Sequence, residues 1–218
     1  MHNLHKLILF SILFFPLSSC QNSSNLRSEI DNKGYLTEFN LIQENPINNS
    51  TIIINSPKAI IDQKNNDLKI FDSSIEFNDT SNSNIFIKSG ESSINQSTNT
   101  IESIDNVNIS FGHDNLSNIT TDKLFWNLDT SIIVIDSKLI FNFDDTKILS
   151  DKGIYFTNIS QLILDNVFYQ KNFTNAQGDQ IYNIIIKSDS ASWLKENKLL
   201  EFTSTNKQVE SNILLFSY

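Results

Sequence analysis

Phe71-Asp72-Ser73-Ser74-Ile75-Glu76-Phe77 lines up without a gap on Ile135-Asp136-Ser137-Lys138-Leu139-Ile140-Phe141. After each Asp-Ser pair the large apolar residues return every second position, Ile75 and Phe77 in one copy, Leu139 and Phe141 in the other. A period of two puts such side chains on one face of a pleated strand. Val107, Ile109 and Phe111 repeat the pattern around Asn108 and Ser110, and Val, Ile and Phe are residues that strands favour. Between the runs lie Asn65-Asn66-Asp67, Asn78-Asp79, Asn127-Leu128-Asp129 and Asp144-Asp145. Asn and Asp accept left-handed turn geometry and bond their own backbone, so they replace glycine, of which the chain has 5 in 218 residues. Beyond the first twenty or so residues no stretch sustains apolar spacing at 3.6. The chain is expected to be all-β.

The alignment extends to a repeat. Ile104-Asp105-Asn106-Val107 matches Leu164-Asp165-Asn166-Val167, so Asp72, Asp105, Asp136 and Asp165 recur at intervals of 33, 31 and 29 residues. Four carboxylates invite a metal or catalytic reading, but ligands must converge, whereas repeat positions are strung along an axis. Each aspartate is better read as an Asx-type turn between a strand and its successor. A longer duplication sets Thr51-Ile-Ile-Ile-Asn-Ser-Pro-Lys-Ala59 against Asn183-Ile-Ile-Ile-Lys-Ser-Asp-Ser-Ala191, an offset of 132 that also relates Leu68 to Leu200 and Ile70 to Phe202. The domain therefore reads as one strand–turn–strand unit stacked about five times, either a β-solenoid or an elongated, open jelly roll. Both bury one face of every strand and leave sheet edges at two ends.

Composition narrows the function. Lys and Arg total 16 against 25 acidic residues, a net charge of −9, which makes nonspecific binding to a nucleic-acid backbone a poor expectation. Cys20 is the one cysteine, so neither a disulfide framework nor a thiolate metal site is available. It closes Leu17-Ser18-Ser19-Cys20, after a basic Lys6 and an apolar run from Leu7 to Leu17 broken by Ser11 and Pro16. Basic start, short apolar stretch and small-residue end are the parts of a signal peptide, and the run is about half the roughly 20 residues a membrane span needs. The Leu-Ser-Ser-Cys ending resembles a bacterial lipobox. That resemblance implies lipidation of Cys20 and a periplasmic protein held at a membrane, the inner one more readily. The expected organisation is a signal peptide over 1–19, a linker over 20–34 and the β-domain over 35–218.

Tyr35-Leu36-Thr37-Glu38-Phe39-Asn40-Leu41, Ile52-Ile53-Ile54-Asn55-Ser56-Pro57-Lys58-Ala59 with Asp62, Leu68-Lys69-Ile70 and Ile75-Glu76-Phe77 together resemble the opening of the LptC family. Members of that family are periplasmic components of lipopolysaccharide export and share the OstA-like jelly roll with LptA. The resemblance covers the chain from about Tyr35 to its end. It implies lipopolysaccharide or a related glycolipid as ligand, an inner-membrane ABC transporter complex as partner, and an LptA-like jelly-roll protein joined by edge-strand pairing. Two departures stand out. Asn48-Asn49-Ser50 replaces a turn glycine of the family, though the second copy keeps Gly178-Asp179, and a lipobox-like segment stands where better-known members carry an uncleaved membrane helix.

Nothing in the sequence composes an active site. His113, after Gly112 and before Asp114 and Asn115, is the one histidine beyond the N-terminal segment, so a nucleophile–His arrangement has a single loop histidine to draw on. No cofactor and no metal site are expected. Asp144-Asp145 reads as a hairpin turn, and Trp126 and Trp193 as core or interior-rim aromatics, a sugar-stacking platform being the alternative. A carrier for acyl chains fits better, since burying each CH₂ is worth about 0.8 kcal/mol. By strand parity the candidates for an apolar groove are Ile52, Ile54, Ile85, Ile87, Ile109, Phe111, Leu139, Phe141, Ile184 and Ile186. The other reading is a lipid-anchored solenoid or sandwich, a scaffold or glycan binder with a solid interior, because a filled core demands the same alternation. The C-terminal Ile213-Leu214-Leu215-Phe216-Ser217-Tyr218 carries neither charge nor Pro, so it reads either as an edge open to a partner or as the strand that closes the sheet.

Overall fold

The computed structural model describes residues 33–45, 50–62, 64–79, 84–112, 117–174, 180–205 and 209–215. Cys20, His113, Gly178-Asp179 and Phe216 to Tyr218 lie outside them. In chain order the strands are β1 (Lys33–Asn45), β2 (Ser50–Asp62), β3 (Asp67–Asn78), β4 (Ile85–Asn95), β5 (Thr100–Phe111), β6 (Ser117–Asn127) and β7 (Ile132–Ile135). They continue with β8 (Leu139–Phe143), β9 (Thr146–Ser150), β10 (Lys152–Phe156), β11 (Gln161–Thr174), β12 (Gln180–Leu194), β13 (Leu199–Thr203) and β14 (Glu210–Leu215). Among the described residues every pairing is antiparallel, and ten of the fourteen join sequence neighbours. The fold is all-β, an open jelly roll of stacked strands.

What makes a roll from one continuous sheet is a corner in the middle of each long strand. The β2–β3 register runs from Thr51↔Asn78 to Asn55↔Ser74, breaks, and resumes at Lys58↔Phe71. Across the break the buried positions slip by one, from Ser56 to Ala59 in β2, from Ile70 to Ser73 in β3 and from Thr121 to Leu124 in β6. A slip of one sends the next side chains to the other face of a strand, so an inward face is kept only if the strand bends. At mid-chain the corner cuts strands outright. The first half of β6 pairs with β8 and its second half with β7, while β11 pairs with β10 through one half and β9 through the other. Two layers result, and their inner faces form one apolar core.

The repeating aspartates sit on this corner, which corrects the expectation that they turn one strand into the next. Asp72 (φ 48°) lies within β3 and Asp105 (φ 64°) within β5; Asp165 is within β11, where Asn166 takes the left-handed conformation (φ 54°). Asp136 joins β7 to β8, two halves of one bent strand. Intervening strands carry a hydroxyl instead. Ser56 Oγ lies 2.7 Å from the Lys58 carbonyl and 2.6 Å from that of Phe71, and Ser150 Oγ repeats this with Lys152 (2.7 Å) and Asp165 (2.6 Å). Ser188, 132 residues after Ser56, donates to Ser190 at 2.9 Å. The duplication thus marks equivalent corners. Inside the angle only small groups fit, and Ser73, Ser89, Ser92 and Ser103 fill it with a buried hydroxyl network of 2.7–3.0 Å contacts. The true hairpin turns lie at the two free margins, Asp144-Asp145 among them with Asp144 at φ 47°.

Candidate functional site

The corner closes the two layers along one side, and the hairpin margins face each other along the other. How far the layers stand apart there depends on side-chain volume. From β5 to β12 aromatic rings span the gap. Phe111 meets Tyr155 at 4.6 Å between ring centroids, and Trp193 packs on Phe141 at 4.8 Å, Phe111 at 5.8 Å and Phe143 at 6.0 Å. Toward β1 the inward residues are mostly aliphatic, with Phe39 and Phe77 the aromatic exceptions. Register sets Leu41, Ile54 and Ile75 side by side in one layer, and Ile61, Leu68, Ile94 and Ile101 in the other. β1 brings Gly34 opposite Ile61, so the end of that second row carries no side chain.

Smaller residues leave space. A cleft of about 470 Å³ opens between the layers, walled by Leu41, Ile52 and Ile54 on one side and by Ile94, Ile101 and Leu128 on the other. Gln43, Glu44, Asn95, Gln96 and Asn99 form its rim. Its volume falls in the range of about 300–1,000 Å³ common for small-molecule sites. Against the second layer a pocket of about 30 Å³ adjoins it, lined by Ile52, Phe77, Trp126 and Leu128 with Ser50, Asn99, Ser131 and Thr157.

The ten groove candidates fall into three sets. Ile52 borders the cleft, and Ile54, 2 % exposed, lies buried beneath it. Ile85, Ile87, Ile109, Phe111, Leu139 and Phe141 are buried in the filled interior, packed by their own neighbours. Ile184 and Ile186 are half-buried on β12, inward by register since Ile186 pairs with Tyr169 and Ile184 with Lys171, but close to the end of the stack. Parity alone missed the far wall of the cleft, Ile94, Ile101 and Leu128. The alternation in Ile94 and Ile101 was a usable signal; Leu128, in a turn, gave none. Trp126 (1 % exposed) and Trp193 (2 %) are core aromatics, which removes a surface sugar-stacking platform.

A larger hollow of about 750 Å³ lies on the outer side near the corner. Ile140, Leu149 and Phe168 form a cross-strand stripe there, by the pairs Ile140↔Leu149 and Phe168↔Leu149. Lys138, Lys187, Asp122, Asp151, Asp189 and Glu210 surround the stripe. A lipid chain there would have to strip water from charges of both signs, so the aliphatic cleft is the better acyl site. Ionic groups elsewhere do not gather into a centre. Asp136, at the corner, is held below the usual carboxylate range by its hydrogen bond and ion pair with Lys152, whose own ammonium is held above its ordinary value. Among the described residues no group of three or more potential metal ligands occurs.

The aromatic end contains one group whose titration should report on its packing. Burial pushes the Tyr155 hydroxyl up from 10.0 to about 12, the neighbouring Ser160 side chain acting in the opposite direction. A tyrosine with a raised folded-state pKa favours the folded form while it is protonated in both states. Its contribution is complete below pH 10, and falls between pH 10 and 12 as the unfolded chain ionises first. A loss of about 2–3 kcal/mol over that window is expected in denaturant titrations. Tyr155→Phe should flatten that slope.

No protein-family model matches the chain, and no curated protein matches it. Among solved structures it is similar to LptH, the LptA homologous periplasmic component of the conserved lipopolysaccharide transport device from Pseudomonas aeruginosa. The match has 11% sequence identity and a TM-score of 0.26, and covers 76% of this chain and 95% of that one.

Proposed function

We propose that this protein is a periplasmic carrier of lipopolysaccharide or a related glycolipid, held at the inner membrane through a lipidated Cys20. It takes acyl chains delivered by an ABC transporter complex and passes them toward the outer membrane. The observation that carries the reading is the cleft of about 470 Å³, aliphatic on both walls and open at the β1 end of the roll. A saturated chain gains about 0.8 kcal/mol per CH₂ removed from water, so a few buried methylenes are enough to shield a chain in transit. No bond is made or broken, and the transporter supplies direction. With a net charge of −9, recognition rests on hydrocarbon and not on a phosphate clamp.

The free edges suit onward transfer. Among the described residues β1 pairs only with β2, and at the other end β13 and β14 pair only with β12, so each of these strands has one side without a ladder partner. Edge-strand pairing with an LptA-like jelly-roll partner would set two clefts in line through main-chain hydrogen bonds. A second reading, a lipid-anchored scaffold with a solid interior, is favoured by the aromatic packing around Trp193. Native mass spectrometry of the soluble domain, residues 35–218, secreted into the periplasm of a host that makes lipopolysaccharide and purified without detergent, separates them. A glycolipid adduct that survives desalting is expected; a bare polypeptide mass under all conditions supports the scaffold.

A further inference from the structure

Pairs of aromatic rings join the two layers in succession along the roll. Phe77 meets Trp126 with 5.4 Å between centroids, Phe111 meets Tyr155 at 4.6 Å, Phe141 meets Trp193 at 4.8 Å, and Tyr169 meets Phe202 at 5.2 Å. In each pair the first ring lies in the layer of β8 and β9, the second in the layer of β7 and β10. All but Tyr169 and Phe202 are 8 % exposed or less. Rings gripped from both layers cannot move aside without giving up contacts in each. The cleft lies on the β1 side of the first pair, bordered by Leu41, Ile52 and Ile94. The pocket lined by Ile52 together with Phe77 and Trp126 holds about 30 Å³, room for a water and not for an alkyl chain. At the far end Lys171 follows Tyr169 by two residues on β11, so it shares the inward face, and its ammonium lies 5.3 Å from the centre of the Phe173 ring. Hydrocarbon laid there would strip water from a charge.

We propose that the roll has a single lipid opening, at its β1 end, and that acyl chains both enter and leave there, none passing along the interior toward β13 and β14. This rests on the acyl reading of the cleft. A roll with one opening is a terminus and not a length of conduit, so donor and acceptor use the β1 end in turn. The edges agree with this. β1 offers a strand of 13 residues to a partner. Among the described residues the opposite edge is divided at the corner into β13, of 5 residues, and β14, of 6. Main-chain pairing along β1 would set an acyl-lined jelly roll against the opening.

Entry is tested in cells with an active exporter, with a photoreactive residue placed in the full chain at Leu41, on the cleft, or at Ile184, at the far end. Both side chains are half-buried, so neither replacement opens a core site. A glycolipid adduct is expected at Leu41 and none at Ile184. Adducts at both positions, or at Ile184 alone, overturn the single opening and leave the acyl reading standing. Adducts at neither, while export proceeds, overturn both. Release is tested on the purified full chain with cis-parinaric acid and phosphatidylcholine vesicles that carry a nitroxide quencher. Leu41→Trp narrows the opening, so loading and release should slow by the same factor, and Ile184→Trp should slow neither. Loading that slows while release does not means a second exit and overturns the proposal. Should a Leu41 variant not fold, Leu128, which also borders the cleft, takes its place. An unaltered chain that takes up no probe counts against the acyl reading and the single opening together.

Discussion

Phe141→Ala is expected to cost roughly 3–5 kcal/mol of folding stability, the loss seen when a fully buried ring is cut to a methyl group in a tight core. Phe141 is 0 % exposed and packs against Trp193 at 4.8 Å and Phe143 at 5.2 Å, with Phe111 at 6.5 Å. Those partners come from both layers, so none can follow the missing ring inward without opening its own contacts. A domain of this size is stable by about 5–15 kcal/mol, and the loss corresponds to a fall of roughly 10 °C in Tm. Ile52→Ala should lose half as much or less. Its side chain already borders open space, so truncation widens a cleft and does not create a closed cavity. Thermal melts followed by circular dichroism compare the two directly. Equal losses would mean that both ends of the roll are packed alike.

That contrast bears on the choice between a groove and a solid core, which the sequence left open. Alternation at Val107, Ile109 and Phe111 or at Leu139 and Phe141 identifies an inward face, and the strands and their parity were legible for that reason. What an inward side chain meets depends on the opposite layer. Phe111 meets Tyr155 and Trp193 across the core, whereas Ile52 borders a cleft whose far side holds the smaller Ile94. No local pattern encodes that sum of volumes, since the facing residues lie from about forty to more than eighty positions apart.

The corners were illegible for a different reason. Asp72 or Asp105 in the left-handed conformation has the local chemistry of a hairpin turn. Only the one-residue slip in burial, as between Ile70 and Ser73, tells a bent strand from a reversed one. The turn at Asp144-Asp145 was legible because strands of opposite direction begin immediately on both sides of it. Ile184 and Ile186 show a third limit. Their parity follows from the duplication with Ile52 and Ile54, but that copy lies near the far end of the stack, where fewer strands remain to cover it.

If acyl chains occupy the cleft, labelling must follow strand parity at its wall. A photoreactive residue placed at Ile52, which borders the cleft, is expected to crosslink to glycolipid in cells with an active exporter. The same residue at Ile53, on the opposite face of β2, should give none, because adjacent strand residues point to opposite sides of the sheet. Labelling at Ile52 alone is the result this account predicts. Equal labelling at both positions, or none at Ile52 while export proceeds, would contradict it.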